Sequence, residues 1–404
     1  MADFSIASTE FSISYARSLN TREALPFLLK QYHECRAHHA QCTTPELTEL
    51  DQCPSRLLDV GHEGSPIILR NTKLSNNKEY VCLSHCWGHS KPYTLNSTTK
   101  QDLEKGIDAE KLPKTFQDAI HVTRCLCIRY LWIDSLCIIQ DSQTDWATES
   151  GRMGNIYARA SCTIAATASS DSDGGLFFDR HPQKSSPILL NISFDPDTPW
   201  LRYEHEVFHL MGTYLCDLKN ITADCIERAP LNSRAWVSQE RQLSCRTMHF
   251  SNRQLFWECH GNETCETYPN GIPEGARPGE GDHATMLKRR LHEFQQQQRQ
   301  KGEAYSNSSE LTQRLGSGLN DSLYRAWCSF RINYSRSALT LDSDKLVALR
   351  GIAKQIEDAT GDELLAGLWR SRIIEELCWF KNLHSNETPS VEPTEWRAPT
   401  WSWA

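Results

Sequence analysis

No stretch of the chain stays apolar for the roughly 18 residues that a membrane-crossing helix needs, so no membrane span is expected. The opening segment, MADFSIASTEFSISYARSLN, has neither a basic start nor an apolar centre, and no secretory signal is expected either. Positive charge is scarce: 43 Lys and Arg stand against 51 Asp and Glu, for a net charge of −8. That balance lacks the electrostatic footprint of a general nucleic-acid binder, and no nucleic-acid partner is expected. No repeat of solenoid period is present. Ser84 and Ser135 lack the G-x-S-x-G turn that exposes a hydrolase nucleophile.

At 404 residues the chain exceeds what one compact core usually holds, which implies one large or two coupled domains. Hydrophobic residues at 39% and charged residues at 23% fit a soluble globular protein. Twelve tryptophans call for large cores or stacking sites. The sixteen cysteines are scattered through apolar segments such as RCLCIRY and YVCLSHCW, as buried free thiols are. Without a signal peptide, a reducing, cytoplasmic compartment is expected.

Hydrophobic spacing sets out the elements. Residues 22–38 carry Leu25, Leu28, Leu29 and Tyr32 at helical spacing, and EYVCLSHCW (79–87) alternates as a strand does. LPKTFQDAIHVTRCL starts a helix near Pro113, with an inner stripe of Phe116, Ile120, Thr123 and Cys127. RYLWIDSLCIIQD (129–141) reads as a buried strand with polar residues at its middle and end. SQTDWATESGRMGNIYARA begins with a cap-like Ser142 and Asp145 and places Trp146, Glu149, Met153, Ile156 and Tyr157 on one side. SCTIAATA (161–168) is the next strand. Residues 185–230 read as further strands and loops, and 233–259 as a short helix and two strands.

The alternation predicts an α/β fold: a mostly parallel central sheet flanked by helices, with additional strands and a helical C-terminal elaboration. Four segments are expected: an N-terminal helical segment (1–50), an α/β core (51–260), a polar flexible insertion with one charged helix (261–322, helix near 284–302), and a segment packing back on the core (323–404). Ligands in such sheets gather beyond the carboxyl ends of the strands, where residues 134–141 would lie.

The motifs YVCLSHCWG (80–88), LPKTFQDAIHVTRCLCIRYLWIDSLCIIQD (112–141), DWATESGRMGNIYARASCTIAATAS (145–169), GGLFFDR (174–180) and SRAWVSQERQLSCRTMHF (233–250) resemble the fungal heterokaryon-incompatibility (HET) domain family. Softer matches follow at 334–353, 367–369 and 397–404. Cys127 stands where such proteins often have glycine, and the chain stops at WSWA where relatives usually continue, which implies either a truncation or a terminal strand that ends there. The resemblance implies an intracellular fungal effector of non-self recognition that leads to growth arrest or cell death. It also implies a TIR-like, flavodoxin-like α/β core. Some TIR domains hydrolyse NAD⁺ with one glutamate on a helix after a central strand. Stand-alone relatives in biosynthetic gene clusters keep a small-molecule enzyme as an alternative. A non-catalytic module that forms a homo-oligomer or docks on a receptor-type partner is another.

Glu149 shares a helical face with Trp146 and Met153, a place from which a carboxylate can stabilise the oxocarbenium-like transition state of nicotinamide release. The alternative is an ordinary pair with Arg152. Asp134 and Ser135 alternate on the expected strand, with Arg129, Arg234 and Arg241 as candidate partners, and serve either catalysis or a structural polar network. Ser84 and His85 end the preceding strand. Trp87 and Gly88 offer a stacking face and a close backbone approach for a nicotinamide or adenine ring, or else a strand-ending turn. Trp236, Gln239, Glu240 and Arg241 can line the same crevice, with Trp146 as a further binding candidate, or form a helix–sheet clasp held by a Glu240–Arg pair. A Cys–His nucleophile pair among His85, Cys86 and Cys137 is weighed against inert core thiols. Cys35, His39 and Cys42 give C-x3-H-x2-C, a zinc-ligand spacing, with Cys53 further on; packing thiols are the default reading.

Overall fold

The computed structural model describes residues 3–5, 18–42, 53–72, 79–88, 93–181, 188–193, 202–203, 206–207, 212–216, 222–273, 284–305, 320–339, 341–379 and 396–404. An eight-stranded sheet organises them. Its strands are β1 (Arg56–Asp59), β2 (Ile68–Asn71), β3 (Tyr80–Ser84), β4 (Tyr130–Ile133), β5 (Cys162–Ala165), β6 (Arg246–Phe250), β7 (Leu255–Cys259) and β8 (Glu263–Cys265). The helices are α1 (Leu25–His38), α2 (Lys100–Lys105), α3 (Lys114–Cys125), α4 (Asp134–Cys137), α5 (Gln143–Arg159), α6 (Ala235–Leu243), α7 (Ala284–Tyr305), α8 (Asp321–Arg336), α9 (Arg350–Thr360) and α10 (Ile373–Glu376).

The sheet order is β8-β7-β6-β5-β3-β4-β1-β2. β3 pairs parallel with β4 and β5, and β5 pairs parallel with β6. The outer pairings are antiparallel. The fold is therefore α/β with a mixed sheet, and the parallel arrangement expected from the sequence holds for the middle four strands. The physical reason is connection length: α3 and α5 cross over between parallel strands, whereas β6, β7 and β8 are joined by tight hairpins that force antiparallel pairing. Among the parallel strands the spatial order is second, first, third, fourth, the flavodoxin-like order, and its switch point lies at the carboxyl ends of β3 and β5.

The central strands are buried along their whole length, as strands covered on both faces must be. α3 buries Phe116, Ala119, Ile120, Val122 and Thr123. α5 is capped by Ser142, whose hydroxyl accepts from Asp145 N–H, and buries Glu149, Ser150, Met153, Ile156 and Tyr157. One apolar cluster joins α1, the sheet and helices α7 to α9.

Two local expectations are corrected. The strand expected over 129–141 ends at Ile133, and residues 134–137 form a helical turn, so Asp134 and Ser135 do not alternate on a strand. Cys127 leaves the inner stripe of α3: it is exposed with φ 58°, a left-handed conformation that costs a side-chain-bearing residue energy and that glycine adopts freely.

Residues 185–230 contribute the strands Ile188–Ser193 and Gly212–Cys216, which form an antiparallel sheet with Asp3–Ser5 from the N-terminal region, as well as the Arg202–Tyr203 and Glu206–Val207 pair. The charged helix expected near 284–302 is α7, and its Leu287, Leu291 and Phe294 are buried. The flanks of that helix read as flexible, 274–283 and 306–319, lie outside the described residues. Among the described residues, no helix is long and apolar enough to cross a membrane.

Candidate functional site

Polar side chains collect at the carboxyl ends of β3 and β4. β3 runs out into Ser84, His85, Cys86, Trp87 and Gly88, and β4 into Asp134 and Ser135. Asp134 is the hub. Its Oδ2 accepts from Trp87 Nε1 at 2.9 Å, its Oδ1 accepts from Ser135 N at 2.7 Å, and His85 Nδ1 stands 3.7 Å from Oδ1. Arg234, just ahead of α6, donates to the His85 carbonyl. Among the three candidate arginine partners of Asp134, Arg234 reaches the backbone of the adjoining His85. Arg129 forks onto Asp59 at 2.8 and 2.9 Å, and Arg241 is engaged elsewhere.

α6 adds Glu240, a carboxylate expected either to line the crevice or to hold a helix–sheet clasp. Glu240 is 4% exposed. Burial pushes its carboxyl up to about 7; the Arg234 charge opposes this, and Asp134 adds to it. Ser84 and Tyr157 are the hydroxyl neighbours that favour its ionised form. A carboxyl with that pKa exchanges protons at neutral pH, as a general acid or base must. Burial, with the Arg234 charge adding and Asp134 opposing, takes His85 down to about 4, so its imidazole is neutral at pH 7. Ser84 Oγ, His85 Nε2, Ser135 Oγ and Glu240 Oε2 are all buried without a hydrogen-bond partner. Such groups are rare in folded proteins and mark strain, chemistry or bound solvent.

Glu149 makes its hydrogen bonds to residues outside this group. It is fully buried on α5, where its Oε1 accepts from Ser55 Oγ at 2.5 Å and Arg152 Nη1 at 3.4 Å, and its Oε2 accepts from Ser55 N at 3.2 Å. It braces α5 against the residue that leads into β1. Trp146, one turn earlier, is half-buried against the core. Gln239 accepts from Gly351 N at 2.8 Å and ties α6 to α9. Arg241 enters a buried charge network: Nε to Glu258 at 2.8 Å and Nη1 to Glu227 at 2.6 Å, with Lys288 Nζ 3.1 Å and His249 Nε2 3.3 Å from Glu258. Burial raises the Glu258 carboxyl, but Arg241, Lys288 and His249 outweigh it and hold the group well below the usual range.

Gly88 is exposed with φ 72°, and a Cβ there would sit 2.3 Å from Asp171 Cβ. The close approach its glycine permits is made by the loop after β5. Cys137 is buried, and burial pushes its thiol up to about 12; burial also raises Cys86. Neither is an activated thiolate.

The crevice at the switch point is closed by the protein itself. Cys86, Ala165, Leu231 and Val237 pack together there, leaving a cavity of about 10 Å³ beside Ser84, Arg241 and His249. A wider cleft of about 320 Å³ lies between α6 and α8, lined by Glu227, Arg228, Asn232, Arg241, Tyr334 and Arg336 among others. Cys35, His39 and Cys42 stay together as their spacing predicts, and the residue that joins them is Cys259. Glu240 is signalled by its place in the W-x-x-Q-E-R run, whereas Cys259 offers only a weak pairing with Cys265 around HGNET, and nothing in the sequence ties it to Cys35.

These features define an α/β protein with an acid–imidazole centre at the carboxyl end of its parallel strands. Residues 80–240 match the family model described as Heterokaryon incompatibility protein (HET), so the chain carries a domain of the heterokaryon-incompatibility family across that span. The matched span runs from β3 to Glu240 and holds every member of the centre. No curated protein and no solved structure matches the chain.

Proposed function

We propose that this chain is a cytoplasmic fungal effector of non-self recognition that arrests growth or kills the cell by cleaving NAD⁺ at the Asp134–His85–Glu240 centre. The supporting observation is that the polar residues of the HET domain converge with unpartnered atoms where ligands gather in open α/β sheets. In this reading water replaces nicotinamide on the ribose. The glycosidic bond breaks, the nicotinamide leaves with the bonding electrons, and the water proton passes to Glu240. The Asp134 carboxylate faces the positive charge that develops on the sugar, and Trp87 supplies the stacking face. Glu149 is the competing carboxylate, by its place on the helix after β4.

The test is nicotinamide release from NAD⁺ by purified protein. Release lost in Glu240→Gln and kept in Glu149→Gln supports the centre. The reverse result transfers the role to Glu149. A second reading, a non-catalytic module that oligomerises or docks on a receptor, is favoured by the closed crevice, which leaves room for little more than one water. It predicts no release from the wild type and toxicity that survives both substitutions.

A further inference from the structure

A second site lies outside the HET centre. Cys35 and His39 stand four residues apart at the C-terminal end of α1, a spacing that presents both on one side. A tight turn, closed by Cys42 N–H donating to the His39 carbonyl at 2.9 Å, returns Cys42 to them. Cys259 arrives from the far end of β7. The three sulfurs and a ring nitrogen of His39 all lie within 4.8 Å of one another, with His39 Nδ1 3.4 Å from Cys259 Sγ. Tetrahedral zinc, with bonds of about 2.3 Å to sulfur and about 2.0 Å to nitrogen, sets its ligand atoms about 3.5–3.8 Å apart.

Two contacts made to the cluster from outside it point to a negatively charged state of its sulfurs. Arg246 is 5% exposed and donates to Cys35 Sγ at 3.2 Å, Ser161 O at 3.2 Å and Cys42 O at 2.5 Å. Among the described residues no carboxylate forms a salt bridge with it. A buried guanidinium without a counter-charge is strongly disfavoured. Three thiolates and one Zn²⁺ carry a net charge of −1, which Arg246 neutralises. In addition, the Asn262 N–H donates to Cys259 Sγ at 3.3 Å, the kind of outer contact that orients a thiolate ligand. Gly261 makes room for the approach: a Cβ on it would lie 2.9 Å from His39 Nδ1.

We infer that Cys35, His39, Cys42 and Cys259 bind one structural zinc ion that fastens α1 to the end of β7. Soft sulfur donors with one imidazole select zinc over the hard cations. Four protein ligands leave no open position for chemistry. Cys245 and His260 stand behind the set: Cys245 Sγ donates to the Cys42 carbonyl at 3.3 Å, and His260 Nδ1 lies 3.4 Å from Gln41 O.

The test is elemental analysis of the full chain purified without chelator, joined to cobalt titration of the metal-stripped protein. One zinc per chain is expected in the wild type and in Cys53→Ser, with loss from Cys259→Ser and His39→Ala. Cobalt is expected to give the visible bands of tetrahedral thiolate coordination, and chelation to lower the melting temperature until zinc is restored. A wild type with no bound metal and no tetrahedral cobalt spectrum overturns the inference. So does a different metal in the site, a disulfide among Cys35, Cys42 and Cys259, or zinc retained by both variants. If the variants do not fold, the wild-type metal content and cobalt spectrum decide alone.

Discussion

Glu149→Ala asks whether the buried carboxylate of α5 is a brace or a reagent. The substitution deprives Ser55 of the acceptor for both its hydroxyl and its N–H, at 2.5 and 3.2 Å. A hydrogen bond to a charged group contributes about 1.5–3 kcal/mol. Arg152 adds little, because its side chain is 27% exposed and turns to water when the carboxylate goes. Loss of the buried side-chain atoms adds a cavity. The expected cost is about 3 kcal/mol, at the lower edge of what removing one partner from a buried pair costs. Urea denaturation followed by tryptophan fluorescence measures it. Glu149→Gln keeps an acceptor for Ser55 and is expected to cost about 1 kcal/mol. A Glu149→Ala stability within about 0.5 kcal/mol of wild type, as a surface residue would give, refutes the reasoning.

The centre carries two opposed pH dependences. Glu240 holds its proton in the fold up to about 7, whereas unfolded glutamate releases it near the ordinary value, so its contribution is present at low pH and is lost as pH rises through that window. His85, held down to about 4, contributes in the other direction: its share is present above the ordinary histidine value and is lost as pH falls toward 4. Relative to wild type, Glu240→Gln should gain about 3 kcal/mol between pH 4.5 and 7, and His85→Gln should gain a similar amount as pH falls from 6.5 to 4; denaturation series across pH check both signs. Gly88→Ala meets a left-handed φ and the Asp171 Cβ, and should cost more than about 2 kcal/mol or abolish soluble expression, which a melting curve reads directly. Arg180→Met strands Glu266, which Arg180 grips at 2.6 and 2.8 Å with both side chains buried, and should cost about 3–5 kcal/mol by the same assay.

The core of the fold was legible because it is periodic. The β3–α3–β4–α5–β5 alternation, the Ser142 cap and the α6–β6–β7 run all follow from apolar spacing and turn residues. β1 and β2 are not legible because each is four residues long, too short a run to carry a pattern; they pair antiparallel at one side of the sheet, with β2 at its edge. β8 falls at the start of the stretch expected as a polar insertion, since three residues after a Gly-Asn turn give no alternation to count. The site was half legible. Asp134, Ser135, Ser84, His85 and Trp87 meet because they sit at two adjacent strand ends, which the sequence order implies. The arrival of Glu240 and Arg234 depends on a long excursion returning to the crevice. The destination of Glu149 depends on Ser55, a residue with no motif. Cys259 reaches Cys35 only through the packing of α1 on β7, a long-range contact that spacing does not encode.

Nicotinamide release from NAD⁺ by the wild type and by Glu240→Gln, compared at pH 7 with melting temperatures matched, tests the proposed centre most directly. The account predicts release by the wild type and none by the variant. Equal release from both proteins, or none from the wild type, contradicts it.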